Sequence, residues 1–359
     1  MYSTNTMTHQ KTVFVGLSGG VDSSVAALRL IQQGYKVTGV FIKVWHPDFL
    51  VCNWEQERLD AMRVAAKLGI PFLTCDAEAE YRDAVAHYFI ESYRAGLTPN
   101  PDVMCNKEVK FGAFYRFALE RGAAYIATGH YAQKIVTEGE HTLVRGVDTN
   151  KDQSYFLWTL TPEVLTRTLF PVGDTTKDII RAEAAAAGLL TAEKKDSQGV
   201  CFLGHIDIPD FLSHYIDLQE GSLLNVAGEV IGKHKGAFVY TIGQRHGFTL
   251  HDKNSDRATM YVIAKDVVKN TITVSPVMTE LATATAFALT QPNVNTKVEI
   301  GETLRAQTRY RQKPFAVTVS ELAAEKIVLH VIESSESIAS GQSCVLYRGT
   351  QCVGGGIIL

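Results

Sequence analysis

Along the first half of the chain, apolar runs of strand length alternate with stretches where apolar residues recur at helical spacing. Thr12 to Leu17 is predicted as a short strand and Asp22 to Gln33 as a helix with Val25, Leu28 and Ile31 on one face. Lys36 to Val44 follows as a second strand after the stop signal Gly34. The alternation repeats: Gln56 to Leu68 as a helix closed by Gly69, Pro71 to Cys75 as a strand, Ala79 to Tyr93 and Val109 to Arg121 as helices, and Ala124 to Thr128 as a strand. Strands separated by such helices need crossover connections, hence a parallel sheet covered on both faces. The fold class is α/β, with a doubly wound N-terminal domain.

After residue 210 the pattern changes to short β-branched segments set apart by Gly, Asn and Asp. Strands are predicted at Gly228 to Ile231, Phe238 to Ile242, Met260 to Ala264, Thr271 to Val274, Ala316 to Ser320, Ile327 to Ile332 and Val345 to Tyr347, with a hairpin turn at Val268-Lys269-Asn270. Such spacing suggests small barrels or sandwiches. Thr279 to Asn295 is predicted as the joint between two β domains. The expected division is 1–210 for a catalytic domain, 211–280 for a small central β domain and 281–359 for a C-terminal β domain.

Composition supports several cores: the chain has 359 residues, 46% hydrophobic and 20% charged, more than one core of about 250 to 300 residues accommodates. Its net charge of −3 supplies no global basic field, which taken alone argues against an RNA partner. The first 28 residues hold one basic residue, Lys11, and no apolar run long enough for a signal or membrane segment. The six cysteines form no C-x-x-C pair. A cytoplasmic protein with reduced thiols and no resident metal or iron-sulfur cluster is expected.

Candidate chemistry begins at Gly16-Leu17-Ser18-Gly19-Gly20-Val21-Asp22-Ser23-Ser24, between the first strand and first helix. Glycines let backbone N–H groups approach phosphate oxygens, the serines add donors, and the helix start supplies a favourable dipole. A Walker loop would need a Lys that is absent, and the dinucleotide fingerprint does not fit. Cys105, in Asn100-Pro101-Asp102-Val103-Met104-Cys105-Asn106-Lys107, is placed by two prolines just before a predicted helix, with Lys107 and Lys110 nearby to favour thiolate. Cys201 follows Lys194, Lys195 and Gly199 in a predicted loop. Cys52, Cys75, Cys344 and Cys352 lack such flanks and are expected to pack.

The Ser-Gly-Gly-Val-Asp-Ser stretch resembles the PP-loop ATP pyrophosphatase signature. Asn100-Pro101-Asp102 with Cys105-Asn106-Lys107-Glu108 adds to this, as do Ala127-Thr128-Gly129-His130-Tyr131, Asn150-Lys151-Asp152-Gln153-Ser154-Tyr155-Phe156 and Gly199-Val200-Cys201-Phe202. With Gly243-Gln244-Arg245, Thr308-Arg309-Tyr310-Arg311 and Gly354-Gly355-Gly356, these motifs resemble in order and spacing the bacterial tRNA-specific 2-thiouridylases, from about residue 11 to the C-terminus. That resemblance implies ATP with Mg²⁺ as a substrate and transfer of AMP onto the C2 oxygen of a wobble uridine in a tRNA anticodon stem-loop. Sulfur then replaces that oxygen, and AMP and pyrophosphate are released. It further implies that the C-terminal domain is a β-barrel gripping tRNA, and that a persulfide relay protein or a cysteine desulfurase donates the sulfur to a monomeric enzyme.

Carried over residue by residue, Gly16, Leu17, Ser18, Gly19, Gly20, Val21, Asp22 and Ser23 would bind ATP, with Ile42 and Gly129 lining its adenine and ribose side. Asn100, Pro101 and Asp102 would face the flipped uracil. Cys105 would be the nucleophile and Cys201 the persulfide carrier, with a Cys105 to Cys201 disulfide left at the end of each cycle. Asp102, three residues from Cys105, is a candidate general acid or base. Lys151, Asp152 and Gln153, and separately Arg309 and Tyr310, would contact tRNA. The acid-free run Arg305, Arg309, Arg311 and Lys313 around Tyr310 suits RNA. The rival readings are another AMP-forming tRNA-modifying enzyme or ligase with the same loop, and an ATP-sensing RNA-binding protein without turnover.

Overall fold

A computed structural model describes residues 10–50, 54–195, 206–251, 259–277, 285–333 and 338–359. These residues form two compact units, one from the described parts of Met1–Arg82 and Cys105–Phe202, the other from Asp83–Met104 and Leu203–Leu359.

In the first unit, β1 (Thr12–Gly16), β2 (Lys36–Lys43), β3 (Phe72–Asp76), β4 (Tyr125–Ala127), β7 (Thr168–Leu169) and the β5–β6 hairpin (Ala132–Thr137, Glu140–Arg145) are the strands. The sheet runs β3-β2-β1-β4-β7, with each pair parallel. Val13, Phe14 and Val15 of β1 are all buried, as a central parallel strand covered on both faces requires. Helix α1 (Val21–Gln32) packs Val25, Ala26, Ala27 and Leu30 into the core shared with Ala61, Val64 and Ala65 of α2 (Trp54–Leu68). Arg29 ties α1 to the Lys177–Ala186 helix through Glu183, with nitrogen–oxygen distances of 2.6 and 2.8 Å. Strand order reverses between β1 and β4, so the crevice at their C-terminal ends is where this architecture binds ligands.

Two helices differ from the predicted spans. The segment expected as one helix over 79–93 is helical at Glu78–Tyr81, π-wound at Arg82–Ala86 and α-helical again at His87–Arg94. The helix expected from Val109 begins eight residues earlier, at Pro101, passes through a π segment at Cys105–Ala113 and ends at Glu120. Pro101 occupies the first turn, where a missing N–H costs nothing, and Asn100 accepts a 3.2 Å bond from the Val103 N–H. Proline in a cap box reads like an extended approach, which is why the start falls early.

In the second unit, β8 (Gly221–Leu224), β9 (Val230–His234), β10 (Phe248–Leu250), β11 (Tyr261–Asp266) and β12 (Thr271–Ser275) form a sheet ordered β10-β9-β8-β12-β11. The stretch Phe238 to Ile242, expected as a strand, is a short 3-10 turn at Ala237–Val239 followed by irregular chain. Gly236 (φ +132) and Gly243 (φ +88) bracket it, and Val239 and Tyr240 are buried by packing rather than by pairing.

The last strands are β13 (Ala286–Val294), β14 (Thr303–Gln307), β15 (Phe315–Ala323), β16 (Lys326–Val331), β17 (Ser343–Arg348) and β18 (Gln351–Ile358). They run β13-β16-β15-β14-β17-β18, antiparallel throughout, and β18 pairs again with β13 to close a six-stranded barrel. Leu289, Leu304, Val317, Val319, Ile327, Leu329, Leu346 and Val353 fill it. A Cβ on Gly354 would lie 2.0 Å from the Asn293 carbonyl oxygen and one on Gly356 2.8 Å from Leu289 Cβ, so the glycine run lets the closing strands meet. Most of the expected joint Thr279 to Asn295 is thus strand β13; its Gln291 (φ +48) and Pro292 sit at a register shift, and residues 278–284 lie outside the described set.

Candidate active site

The glycine-rich loop expected to cradle phosphate lies where β1 gives way to α1. Gly20 is the N-cap of α1 and has no side chain with which to cap it, so the first N–H groups of the helix remain for a ligand. Gly19 has φ +72, and a Cβ there would fall 2.8 Å from the Glu57 carbonyl oxygen, so only glycine fits against α2. Leu17 is buried and its N–H donates to Val40 O at 2.8 Å, which fixes the loop to β2. The Ser18 and Ser23 hydroxyls stand 3.3 Å apart. Ser24, expected as a further phosphate donor, is fully buried; it donates to Gly20 O at 2.7 Å and lies 3.1 Å from the Thr191 hydroxyl that donates to it. It braces the loop from behind.

Asp22 points to a cation. Both its carboxylate oxygens accept from Lys177 Nζ, at 2.7 and 2.8 Å, and Oδ1 also accepts from the Tyr131 hydroxyl at 2.7 Å. Lys177 is buried at the start of its helix. No sequence motif pointed to Lys177, because its partner is 155 residues away. Gly129, just past β4, packs directly on this turn: a Cβ there would lie 2.7 Å from Ser23 N. Ile42 of β2 stands beside Gly16, 3.6 Å from where its Cβ would be. Gly16 to Ser23, Ile42 and Gly129 are therefore gathered at one edge of the sheet.

Neighbouring His130 is buried. Its Nδ1 lies 2.8 Å from the Thr128 hydroxyl, Phe111 and Phe170 flank the ring, and burial, reinforced by Lys110, pushes its pKa well below 6.5.

Cys105 is 3% exposed and opens the π segment. The thiol expected just before a helix is instead the fifth residue of one, where a helix-terminal field has largely fallen away. The next residue, Asn106, is also buried and donates from Nδ2 to Phe156 O at 3.2 Å, which ties the Cys105 helix to the turn at Ser154–Leu157. Just before that turn, Asp152 is buried; its carboxylate accepts from Arg145 at 2.7 Å, from the N–H groups of Gly146 and Ser154 and from the Ser154 hydroxyl. Gln153 exchanges bonds with Tyr131: its N–H donates to Tyr131 O at 2.8 Å and its Oε1 accepts from Tyr131 N at 2.9 Å. Both side chains organise the turn, and Lys151 is half-buried beside them.

Cys75 is buried, which pushes its thiol up to about 11, and burial also pushes up the Cys344 thiol, so neither supplies a thiolate. Cys201 and Cys52 lie outside the described residues. The stretch leading toward Cys201 is anchored: Lys194 pairs with Asp60 at 2.7 Å, and Arg181 donates to the carbonyls of Ala192 and Lys194.

In the second unit, Asn100, Pro101 and Asp102 head the helix, with Pro101 buried and the other two half-buried. Arg309 and Tyr310 are also half-buried; Arg309 donates to Ile242 O at 2.7 Å, and Arg311 lies 5.2 Å over the Tyr310 ring. The run that looked acid-free meets an acid across the sheet, since Arg305 pairs with Glu333 at 2.7 Å. Among the described residues no helix is long and apolar enough to cross a membrane, and no three His, Cys, Asp or Glu side chains cluster as a metal site.

Three family models match consecutive parts of the chain: a tRNA methyl transferase HUP domain over residues 11–205, a tRNA methyl transferase PRC-barrel domain over 209–276 and an aminomethyltransferase beta-barrel domain over 284–358. The chain is 45% identical over 357 residues to the tRNA-specific 2-thiouridylase MnmA of Klebsiella pneumoniae subsp. pneumoniae, covering 97% of each. It is 44% identical over 359 residues to that of Bacillus cytotoxicus, covering 99% of this chain and 96% of the relative. With such identity along nearly its whole length, the chain belongs to the tRNA-specific 2-thiouridylase family.

Proposed function

We propose that the protein makes 2-thiouridine at the wobble position of tRNA by adenylating the C2 oxygen and replacing it with persulfide sulfur. The observation that carries this reading is the near full-length identity to tRNA-specific 2-thiouridylases. The HUP model's label names methyl transfer, but methyl transfer needs no nucleotide phosphate cradle, and a glycine loop at an open helix N-terminus is suited to one.

Uracil C2 is a poor electrophile with a poor leaving oxygen. ATP, bound with Mg²⁺ as a substrate at Gly16 to Ser23, accepts attack by that oxygen at its α-phosphorus; the bond to pyrophosphate breaks and AMP becomes the leaving group on C2. Lys177 and Tyr131 hold Asp22 in place beside the departing pyrophosphate. The terminal sulfur of a Cys201 persulfide then attacks C2 and AMP leaves. Cys105 thiolate attacks the Cys201 sulfur, giving a Cys105–Cys201 disulfide and the 2-thiouracil anion, which takes a proton. A thiol reductant restores both cysteines with two electrons. Asn100 and Asp102 face the base, and Asp102 moves the proton. Asp152 and Gln153 brace the turn that carries Lys151, and Lys151 contacts tRNA. The reading includes cytoplasmic action on an anticodon loop, with a protein persulfide as the donor.

Incubation of the protein with ATP, a persulfide source and unmodified tRNA is expected to give 2-thiouridine by nucleoside mass analysis, with pyrophosphate release that depends on tRNA. Cys201→Ser should abolish thiolation and leave tRNA binding within about twofold. Thiouridine formed by that variant would remove Cys201 from the mechanism, and a different modified nucleoside would point to another AMP-forming enzyme.

A further inference from the structure

The segment that delivers Asn100 and Asp102 is held from outside its own helix. The Thr98 N–H donates to Ser340 O at 2.9 Å, and Gln342 Nε2 donates to both the Thr98 and Pro99 carbonyls, at 3.0 and 3.2 Å. On the other side, the hydroxyls of Thr98 and Thr241 lie 3.2 Å apart. Gly341 (φ +89) brings the barrel backbone so close that a Cβ there would fall 2.8 Å from Leu97 Cβ and 2.9 Å from Thr98 N. Thr98 and Pro99 are both buried under these contacts.

The Gln342 side chain is not needed by the barrel itself. Its backbone supplies the barrel's bonds, N–H to Ala339 O at 3.2 Å and carbonyl from Ile358 N–H at 2.9 Å. The carboxamide nitrogen goes to the Thr98 and Pro99 carbonyls. A carboxamide with two N–H donors can serve two adjacent carbonyls at once, and two consecutive carbonyls fixed in space leave the following Asn100-Pro101 entry little freedom. Cys105 follows Asp102 by three residues in the same continuous helix.

We infer that Gln342, on the loop before β17 of the C-terminal barrel, is a positioning residue for thiolation: its carboxamide sets the Thr98–Pro99 carbonyls and through them the register of Asn100 and Asp102. The inference rests on the reading that Asn100 and Asp102 face the target base. The barrel then has a part in turnover separate from gripping tRNA.

The test uses the full chain and Gln342→Glu, which keeps the shape but sets a carboxylate against two carbonyl oxygens. At saturating tRNA the variant should form 2-thiouridine about 10²-fold more slowly, the loss expected for a misplacement near 1 Å, with tRNA affinity within about twofold. Gln342→Lys, which keeps donors at similar reach, should recover most of the rate. Hydrogen exchange should accelerate at residues 97–104 in Gln342→Glu and stay unchanged in the barrel strands. A Gln342→Glu rate equal to wild type, or a defect confined to tRNA affinity, overturns the inference. If the wild-type chain forms no 2-thiouridine, the functional reading has failed instead. The exchange measurement still decides whether Gln342 holds the segment, and unchanged protection at 97–104 rejects it.

Discussion

Single residues at the phosphate loop are fixed by neighbours distant in sequence. Gly129 and Gly19 have no room for a methyl group, the one against Ser23 N and the other against Glu57 O. Because the obstructing atoms are backbone, Gly129→Ala must push α1 away from β4, an overpacking cost of about 1–3 kcal/mol. ATP affinity should fall by about tenfold or more by equilibrium titration, since a displacement worth 1.4 kcal/mol at the cradle is tenfold in binding. Unchanged ATP binding with unchanged stability would show that the β4 turn does not shape the nucleotide site. The loop glycines and serines were legible as a motif, whereas the Asp22–Lys177–Tyr131 network was not, because it joins residues 109 and 155 positions apart. The same limit hid the inward turn of Asp152 and Gln153: in the sequence they are simply polar residues in a loop.

At the scale of elements, the predicted strands and helices around the parallel sheet follow the hydrophobic pattern within a few residues, since each must bury an apolar face against the next, except the helix that starts eight residues early at Pro101. The π winding at Cys105–Ala113 has no such signal. It amounts to one extra residue in a helix, and Gly112 is the point where the tighter approach shows, a Cβ there lying 3.0 Å from the Lys107 carbonyl oxygen. Deleting one residue between Lys107 and Gly112 should restore regular winding and turn Cys105 by about 100° relative to Phe114–Glu120. Circular dichroism should then be nearly unchanged while thiolation is lost. Retained turnover would mean that the facing of Cys105 does not matter. In the β half, β8, β10, β13, β14 and β18 were not among the predicted strands, β18 because Gly354 to Gly356 look like a loop until the closing contact with β13 is seen.

For the whole molecule, a net charge of −3 is a poor guide to partners, since eight acids fall between Glu55 and Glu91 and the basic run lies on the barrel. Arg305 pairs with Glu333 at 2.7 Å, so on the proposed reading Arg311 and Lys313 are the residues of that run to test against RNA phosphate. Replacing Arg311 and Lys313 together with Ala should weaken tRNA binding and lower the slope of log K against log salt by about one per lost contact. Arg305→Ala should leave that slope unchanged. A slope unaltered by the double change would make these residues ordinary surface. What the sequence determined by itself was local and ordered: periodicity predicted most of the elements around the parallel sheet, and motifs in register named the family and singled out a candidate phosphate loop and two candidate cysteines. Only the tertiary structure decided which side chains are spent on holding others, among them Ser24, Asp152, Lys177 and Gln342. The reason is that a hydrogen bond between residues such as Thr98 and Gln342, 244 positions apart, exists only once the chain has folded and leaves no spacing in the sequence.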